Sequence, residues 1–406
     1  MTGPLRIGFI GAGFIAHFHL GSFEGVRDAV IAGVYSPTPV KRKALADRAN
    51  ALGLGPCRPF DSLADMLASG DIDAVWVLSP NDVRIETFTA IRDAVKAGAP
   101  IRAVACEKPL GRTLAEAEEV LQLTREAGLA HGYLENQVFS TAVQRGKEII
   151  WRRAVPSAGR PYLARAAEEH AGPHEPWFWD GQRQGGGVLS DMMCHSIEVG
   201  RFLLSAPDEP RAAMRVKSVN GTIGHLKWTR PRYAAELGAR MAGIDYRARA
   251  SEDFARGLVT LEDPEGQEAV IEATTSWAYV GAGLRIDLEL MGPEYAMQFS
   301  SLGAGLKLFL SRAIEGGEGE DLVEKQNAET GLMPVIDDEA GVYGYTLENR
   351  HMVQCFRTGI TPIETFDDGV EVTRIIMALY KSAEEGRVIH FPDEGLRDYV
   401  PVPARG

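Results

Sequence analysis

The stretch that most constrains this chain runs from Leu5 to Ala16. Leu5, Ile7, Phe9 and Ile10 make a short apolar run, suited to a strand buried on both faces of a parallel sheet. Gly11, Gly13 and Ala16 follow directly, at the spacing G-x-G-x-x-A. The first glycine makes the tight turn, the second lets backbone approach a pyrophosphate, and the small third residue lets the next helix lie close on the strand. A diphosphate would sit on the N–H groups that a helix leaves open at its N-terminus, here at Phe14 and Ile15. The alternative is a Gly-rich structural turn; placement straight after a strand argues for a dinucleotide instead.

At 406 residues the chain is too long for one ordinary core, so two domains are expected. Its 43 basic and 56 acidic residues give a net charge of −13, which argues against nucleic acid and anionic membranes as partners. No apolar stretch is long enough to span a bilayer. The first residues show neither the basic n-region nor the cleavage site of a signal peptide. Cys57, Cys106, Cys194 and Cys355 are scattered without a C-x-x-C, as in reduced thiols. The expectation is a cytoplasmic protein.

Strand and helix then alternate. Strands are read at Val30 to Tyr35, Ala74 to Leu78, Ile101 to Cys106 and His131 to Leu134. Helices are read at Phe14 to Glu24, Thr38 to Leu52, Ser62 to Leu67, Asp82 to Ala97 and Thr113 to Ala127. This is the signature of a doubly wound parallel sheet, a Rossmann domain, over residues 1–140. Ligands of such sheets lie at the carboxyl ends of the strands, where Gly11, Ser36, Ser79, Asn81, Glu107 and Lys108 fall. The second strand ends in Tyr35-Ser36-Pro37, with no acid to take an adenosine ribose and repel a 2′-phosphate. NADP is therefore open, but Pro37 brings no charge to hold that phosphate, so NAD is read ahead of it.

The fingerprint, Ser79-Pro80-Asn81, Glu107-Lys108-Pro109, and the run Gly186-Gly187-x-x-x-Asp191-x-x-x-His195 together resemble the Gfo/Idh/MocA family of nicotinamide-dependent oxidoreductases. The likeness covers the first half of the chain well and the second half only in its gross pattern. It departs at Arg84, where family members often carry a His. The resemblance implies Lys108, Asp191 and His195 around the reacting carbon. Chemistry supports the same set: oxidising a carbinol needs a base for its proton and a donor to steady the developing alkoxide. Asp191 and His195 share one helix face, and Gly185-Gly186-Gly187 would let backbone come close to a ligand. A surface pair or cap is the alternative for Asp191 and His195.

Beyond a connecting helix from Ala142 to Arg153, residues 141–406 read as an α+β domain with an open, mainly antiparallel sheet. Its strands fall at Tyr162 to Glu168, Met214 to Ile223, Gly257 to Leu261, Glu268 to Thr275, Arg285 to Met291 and Leu306 to Leu310. A helix from Leu189 to Leu203 carries the Asp and His. Tyr343 to Arg357 is helical, and a helix over 370–386 is expected to pack back on the first domain. Glu315 to Asp321 reads as an acidic, Gly-rich loop. His170, His174, Trp177 and Trp179 suit a sugar pocket, because aromatic faces stack on sugar rings; a core aromatic cluster is the alternative. No histidine or cysteine spacing fits a metal site. From Gly224 to Ser251, six basic residues face two acidic ones, among them Arg230 and Arg232. Either this is a solvated loop or subunit contact, or it caps an anionic sugar such as a uronate or sulfonated sugar.

The sequence thus points to an NAD(P)-dependent oxidoreductase acting on a secondary hydroxyl of a sugar, glycoside or polyol. A redox-neutral NAD-dependent glycosidase would use the same residues. A non-catalytic dinucleotide sensor would be expected to lack the Lys, Asp and His together. The resemblance implies a homodimer or homotetramer built on the outer face of the second sheet.

Overall fold

The computed structural model describes residues 3–241, 244–303, 306–310, 323–326, 331–336 and 338–405. The first apolar run becomes β1 (Leu5–Ile10), followed by α1 (Phe14–Ser22), β2 (Ala29–Tyr35), α2 (Pro39–Ala51), β3 (Arg58–Phe60) and α3 (Leu63–Ala68). Then come β4 (Ala74–Val77), α4 (Arg84–Lys96), β5 (Ala103–Glu107), α5 (Leu114–Glu126) and β6 (Ala130–Leu134). The next elements are α6 (Thr141–Ile149), α7 (Val155–Ala158), β7 (Leu163–Glu169), α8 (Gly181–Gln184), α9 (Val188–Leu204), β8 (Arg215–Gly224) and α10 (Pro231–Arg240). After them come β9 (Phe254–Glu262), β10 (Glu268–Ser276), β11 (Arg285–Gly292), β12 (Tyr295–Ser300), β13 (Leu306–Leu310) and β14 (Gly331–Val335). The described chain closes with α11 (Glu339–Val342), α12 (Tyr345–Thr358), α13 (Phe366–Glu385) and β15 (Ile389–His390). The stretch from Glu315 to Asp321 lies outside the described residues. Among the described residues no helix is long and apolar enough to cross a membrane.

The chain forms two compact units, residues 1–140 with 343–373, and residues 141–342 with 374–406. The first holds a six-stranded parallel sheet in the order β3-β2-β1-β4-β5-β6, the doubly wound Rossmann arrangement. Local chemistry starts its helices. Ser62 Oγ accepts the Asp65 N–H at the head of α3, and Thr113 Oγ1 accepts the Glu116 N–H at the head of α5. On α5 the buried Leu114, Ala117, Val120, Leu121 and Thr124 recur at helical spacing, so one face is committed to the core.

The second unit is not continuous from 141 to 406, because Tyr343–Thr373 belongs with the first. The reason is in α12. Its Asn349 accepts the indole N–H of buried Trp76 at 2.8 Å, and Phe356 meets the same ring edge-on at 5.7 Å. Gly132 on β6 leaves room for Met352; a Cβ there would lie 2.4 Å from its sulfur. Helix α13, expected over 370–386, starts earlier, and its residues up to Thr373 group with the first unit while those from Arg374 group with the second.

The second unit is built on a seven-stranded sheet in the order β12-β11-β7-β10-β9-β8-β15. Only β7 and β10 pair in parallel; the other neighbours are antiparallel. Helix α9 lies against β7, β10 and β9, and all 17 of its residues are buried. A helix buried all round is the centre of its unit. It can carry charge only where partners exist: Glu198 is met by both Arg201 and Arg211.

Candidate functional site

In the first unit the strand-end residues gather at the reversal of strand order between β1 and β4. Gly11 has φ +120°, and a Cβ there would lie 2.6 Å from the Leu78 carbonyl oxygen, so the turn itself demands glycine. Gly13 is different. Its φ of −87° suits any residue, and a Cβ would meet nothing within 4 Å. The protein alone gives no reason for glycine at 13; a group approaching the backbone there does. Helix α1 starts at this point with no side-chain cap and no acid in its first turn, which leaves its positive end open to an anion. Phe14 is exposed and Ile15 partly so. The buried Ser79 Oγ makes no hydrogen bond to the described protein. These features fit a dinucleotide.

At the end of β2, Ser36 is buried and its carbonyl accepts from Arg42 at 3.2 Å. Arg42 also pairs with Asp61. This places a cation where the sequence offered only Pro37. Its warning sign was the Lys41-Arg42-Lys43 run in the first turns of α2, which can fold back on the strand end. Asn81 is buried at the start of a short helical turn after β4.

Glu107 and Lys108 leave β5 in a tightly held turn. Glu107 Oε1 lies 2.8 Å from His19 Nε2, and Glu107 Oε2 accepts the Lys108 N–H at 3.1 Å. Asn349 Nδ2 is 2.9 Å from His19 Nδ1. Because Trp76 donates to Asn349 Oδ1, the amide nitrogen must face His19 and donate to it, which leaves the ring proton on Nε2, toward Glu107. Arg84, standing where family members often have His, is buried and donates to the Lys108 carbonyl at 3.3 Å. Lys108 itself is half-buried. Burial and the neighbouring Glu107, Glu135 and Glu364 push the Glu348 carboxyl well above its usual range.

In the second unit, Asp191 and His195 share the buried face of α9, at 5% and 4% exposure, so a surface pair is excluded. The indole N–H of Trp277 donates to Asp191 Oδ2 at 3.2 Å, and Glu168 Oε2 lies 3.9 Å from His195 Nε2. Sequence reasoning missed Glu168. The alternation of β7 could have found it, since Glu168 falls in step with buried Ala164 and Ala166.

Two of the glycines ahead of α9 are required by the protein itself. A Cβ on Gly186 would lie 2.1 Å from the Tyr380 hydroxyl, and one on Gly187 would lie 2.7 Å from the Glu252 carboxylate. The protein fills this space itself. Glu252 Oε1 accepts the Gly187 and Leu189 N–H groups and the Tyr380 O–H, at 3.1, 3.0 and 2.6 Å. Burial pushes the Glu252 carboxyl up to about 7.

The sugar-pocket candidates divide. Trp179 is a core residue, 1% exposed, with rings of Trp228, Tyr246 and Trp277 at 5.2–5.3 Å. It supports the preceding loop by donating to the Pro173 carbonyl at 3.2 Å. Trp177 is half-buried and stacks on Phe178. His170 is buried, and its Nδ1 accepts the Gly172 N–H at 2.9 Å. His174 is exposed on one side and borders a cavity; burial of the other side and the nearby Lys325 and Arg240 push its imidazole down to about 4. Arg230 and Arg232 are exposed at the start of α10, a helix in the segment where a loop was expected.

Two family models match the chain: the "Oxidoreductase family, NAD-binding Rossmann fold" over residues 5–133 and the "GFO/IDH/MocA C-terminal domain" over residues 156–294. The chain belongs to the Gfo/Idh/MocA family. Residues 5–133 of its first unit therefore form an NAD-binding Rossmann fold of that family. A 1,5-anhydro-D-fructose reductase of Ensifer adhaerens is 30% identical over 219 residues, which are 53% of this chain and 61% of that relative. The chain thus spans less than two thirds of that protein. A levoglucosan dehydrogenase of Pseudarthrobacter phenanthrenivorans is 23% identical over 397 residues, 94% of this chain and 90% of that one. Among solved structures, GenD2 from gentamicin A biosynthesis in complex with NAD superposes with a TM-score of 0.77 at 22% identity, covering 97% of this chain and 98% of that one.

Proposed function

We propose that this Gfo/Idh/MocA protein oxidises a secondary hydroxyl of a sugar, glycoside or polyol. The observation that carries the reading is the buried face of α9. Asp191 and His195 lie there, each met by a side chain from another element, Trp277 and Glu168. Ionisable groups are costly to bury, and such clusters are characteristic of reacting centres. The reductase and dehydrogenase names of the two relatives favour the same chemistry and give the glycosidase alternative no specific support.

When bound, the dinucleotide supplies the hydride acceptor. His195 takes the hydroxyl proton, and Glu168 steadies the imidazolium so formed. Lys108 stabilises the alkoxide oxygen as the carbon–hydrogen bond weakens. Asp191, fixed by Trp277, orients the substrate hydroxyl or His195. NAD is the cofactor proposed first, because Arg42, the cation bonded to the end of β2, is also paired with Asp61. Assembly as a homodimer or homotetramer through the outer face of the second sheet belongs to the same proposal. That face carries a ladder in which Glu272 pairs with Arg256 and Arg165, and Arg165 with Glu289.

His195→Ala tests the reading. With folding and dinucleotide binding confirmed, kcat should fall by about 10²–10⁴-fold, the usual size of an acid–base contribution. A kcat within about threefold of the parent would mean that the α9 pair is structural. Net reduction of the dinucleotide in step with turnover separates a dehydrogenase from a redox-neutral glycosidase.

A further inference from the structure

A cavity of about 330 Å³ opens in the second unit beside the loop that follows β7. Its lining includes Pro173, His174, Arg240, Met241, Lys325 and Gln326. Two of these are permanent cations and, among the described residues, none is acidic. Burial is the main reason His174 loses proton affinity, and Lys325 and Arg240 add to it by opposing a charge on its ring.

Each wall is held by the protein. Pro173 is fixed by the indole of Trp179. Gly172 makes the loop possible, with φ +106° and space for only a hydrogen against the Trp179 ring. Arg240 ends α10, where a cation complements the helix dipole, and its guanidinium lies 5.5 Å from the Trp228 ring centre. The turn carrying Lys325 is pinned by buried Val323 and by the Leu284 N–H donating to the Glu324 carbonyl at 3.0 Å. Packed side chains also connect this loop to the candidate reacting centre. Trp179 packs against Trp277 at 5.2 Å, and Trp277 is the residue that holds Asp191.

We propose that this cavity is a subsite for an anionic substituent of the substrate, a carboxylate carried by a sugar, with Arg240 and Lys325 as its charge partners. The inference rests on the sugar-oxidation reading and names the substrate class for it. It also divides the basic segment: Arg240 reads the anion, while Arg230 and Arg232 stand outside the cavity lining. Within the cavity, a fixed pair of cations selects a carboxylate over a neutral or cationic substituent.

The test compares D-glucuronate with D-glucose on the full chain, by calorimetric binding and by turnover. The parent should bind glucuronate at least about tenfold more tightly than glucose, a preference that salt weakens. In Arg240→Ala/Lys325→Ala that preference should vanish while glucose affinity stays. Arg230→Ala/Arg232→Ala should leave it unchanged. Equal binding of the two sugars by the parent, or an intact preference in the Arg240/Lys325 variant, overturns the subsite. Glucuronate bound through Arg240 and Lys325 but with no dinucleotide reduction for any sugar would uphold the subsite and overturn the oxidation reading instead.

Discussion

His19 and Glu107 stand 88 positions apart in sequence, yet the ring nitrogen of one lies 2.8 Å from the carboxylate of the other, with the imidazole wholly buried. The pair is one link in a line that runs from Trp76 through Asn349 and His19 to Glu107 and the Lys108 backbone. His19→Ala should therefore lower kcat without removing any group assigned to the chemistry. Small misplacements of a reacting group cost up to about 10²-fold, and a fall of tenfold or more is expected here. Asn349→Leu should act in the same direction. Rates at saturating substrate and dinucleotide would show this, and unchanged rates in both variants would mean that the line does not position Lys108.

Gly13→Val should leave the fold largely intact, because its backbone angles suit valine and the space beside it is open. Dinucleotide affinity should fall by at least about tenfold, since the new side chain stands where backbone must meet the pyrophosphate. Titration of NAD against tryptophan fluorescence reads the loss.

Asp61→Asn should move cofactor choice toward NADP. The substitution leaves Arg42 at Ser36 but removes the carboxylate that engages it. Asp61 is almost fully exposed, so releasing Arg42 from it is worth up to about 1 kcal/mol, and the NADP to NAD affinity ratio should rise by up to about fivefold. Arg42→Ala should reverse the change. A ratio unmoved in both variants would place the 2′ position away from Arg42.

Glu252 makes stability fall as pH rises. Burial lifts its carboxyl from 4.5 to about 7, so between those values the folded protein holds a proton that the unfolded chain has lost. The associated loss builds up from about pH 4.5 to pH 7 and is on the order of 3 kcal/mol above that window. Glu252→Gln keeps an acceptor for Gly187, Leu189 and Tyr380. Denaturation at about pH 5 and pH 8 should show a steeper decline in the parent than in the variant. Equal declines would mean that Glu252 titrates near its ordinary value.

The first sheet was legible because each of its main strands is a short apolar run bounded by turn residues, and because strand-end chemistry recurs in one place. Strand β3 was not: two of its three residues are exposed, and pairing with β2 alone makes it a strand. Helix α10 went unread although Tyr233 and Leu237 stand one turn apart, because only Leu237 of its ten residues is buried and arginines surround that narrow apolar face. The Asp191–His195 face could be read from spacing. Of their partners, Glu168 could be found from the alternation of β7, but Trp277 could not, since it follows β10 and its placement is decided by the pairing of the whole sheet. The glycines before α9 were only half legible for a similar reason. They announce that something comes close, and only the fold reveals that it is Tyr380 and Glu252.

The return of α12 to the first unit has a consequence for synthesis. A ribosome that has finished β6 has made the entire parallel sheet, yet Trp76 and His19 still lack Asn349, which lies about 200 residues downstream. The nascent Rossmann sheet must wait for that partner, its uncovered groups hydrated instead, while nearly all of the second sheet emerges. A gene fragment ending at residue 140 would stop in that waiting state. The dinucleotide unit is completed only late in translation, so the protein cannot acquire a finished first unit before most of its second unit has also been made.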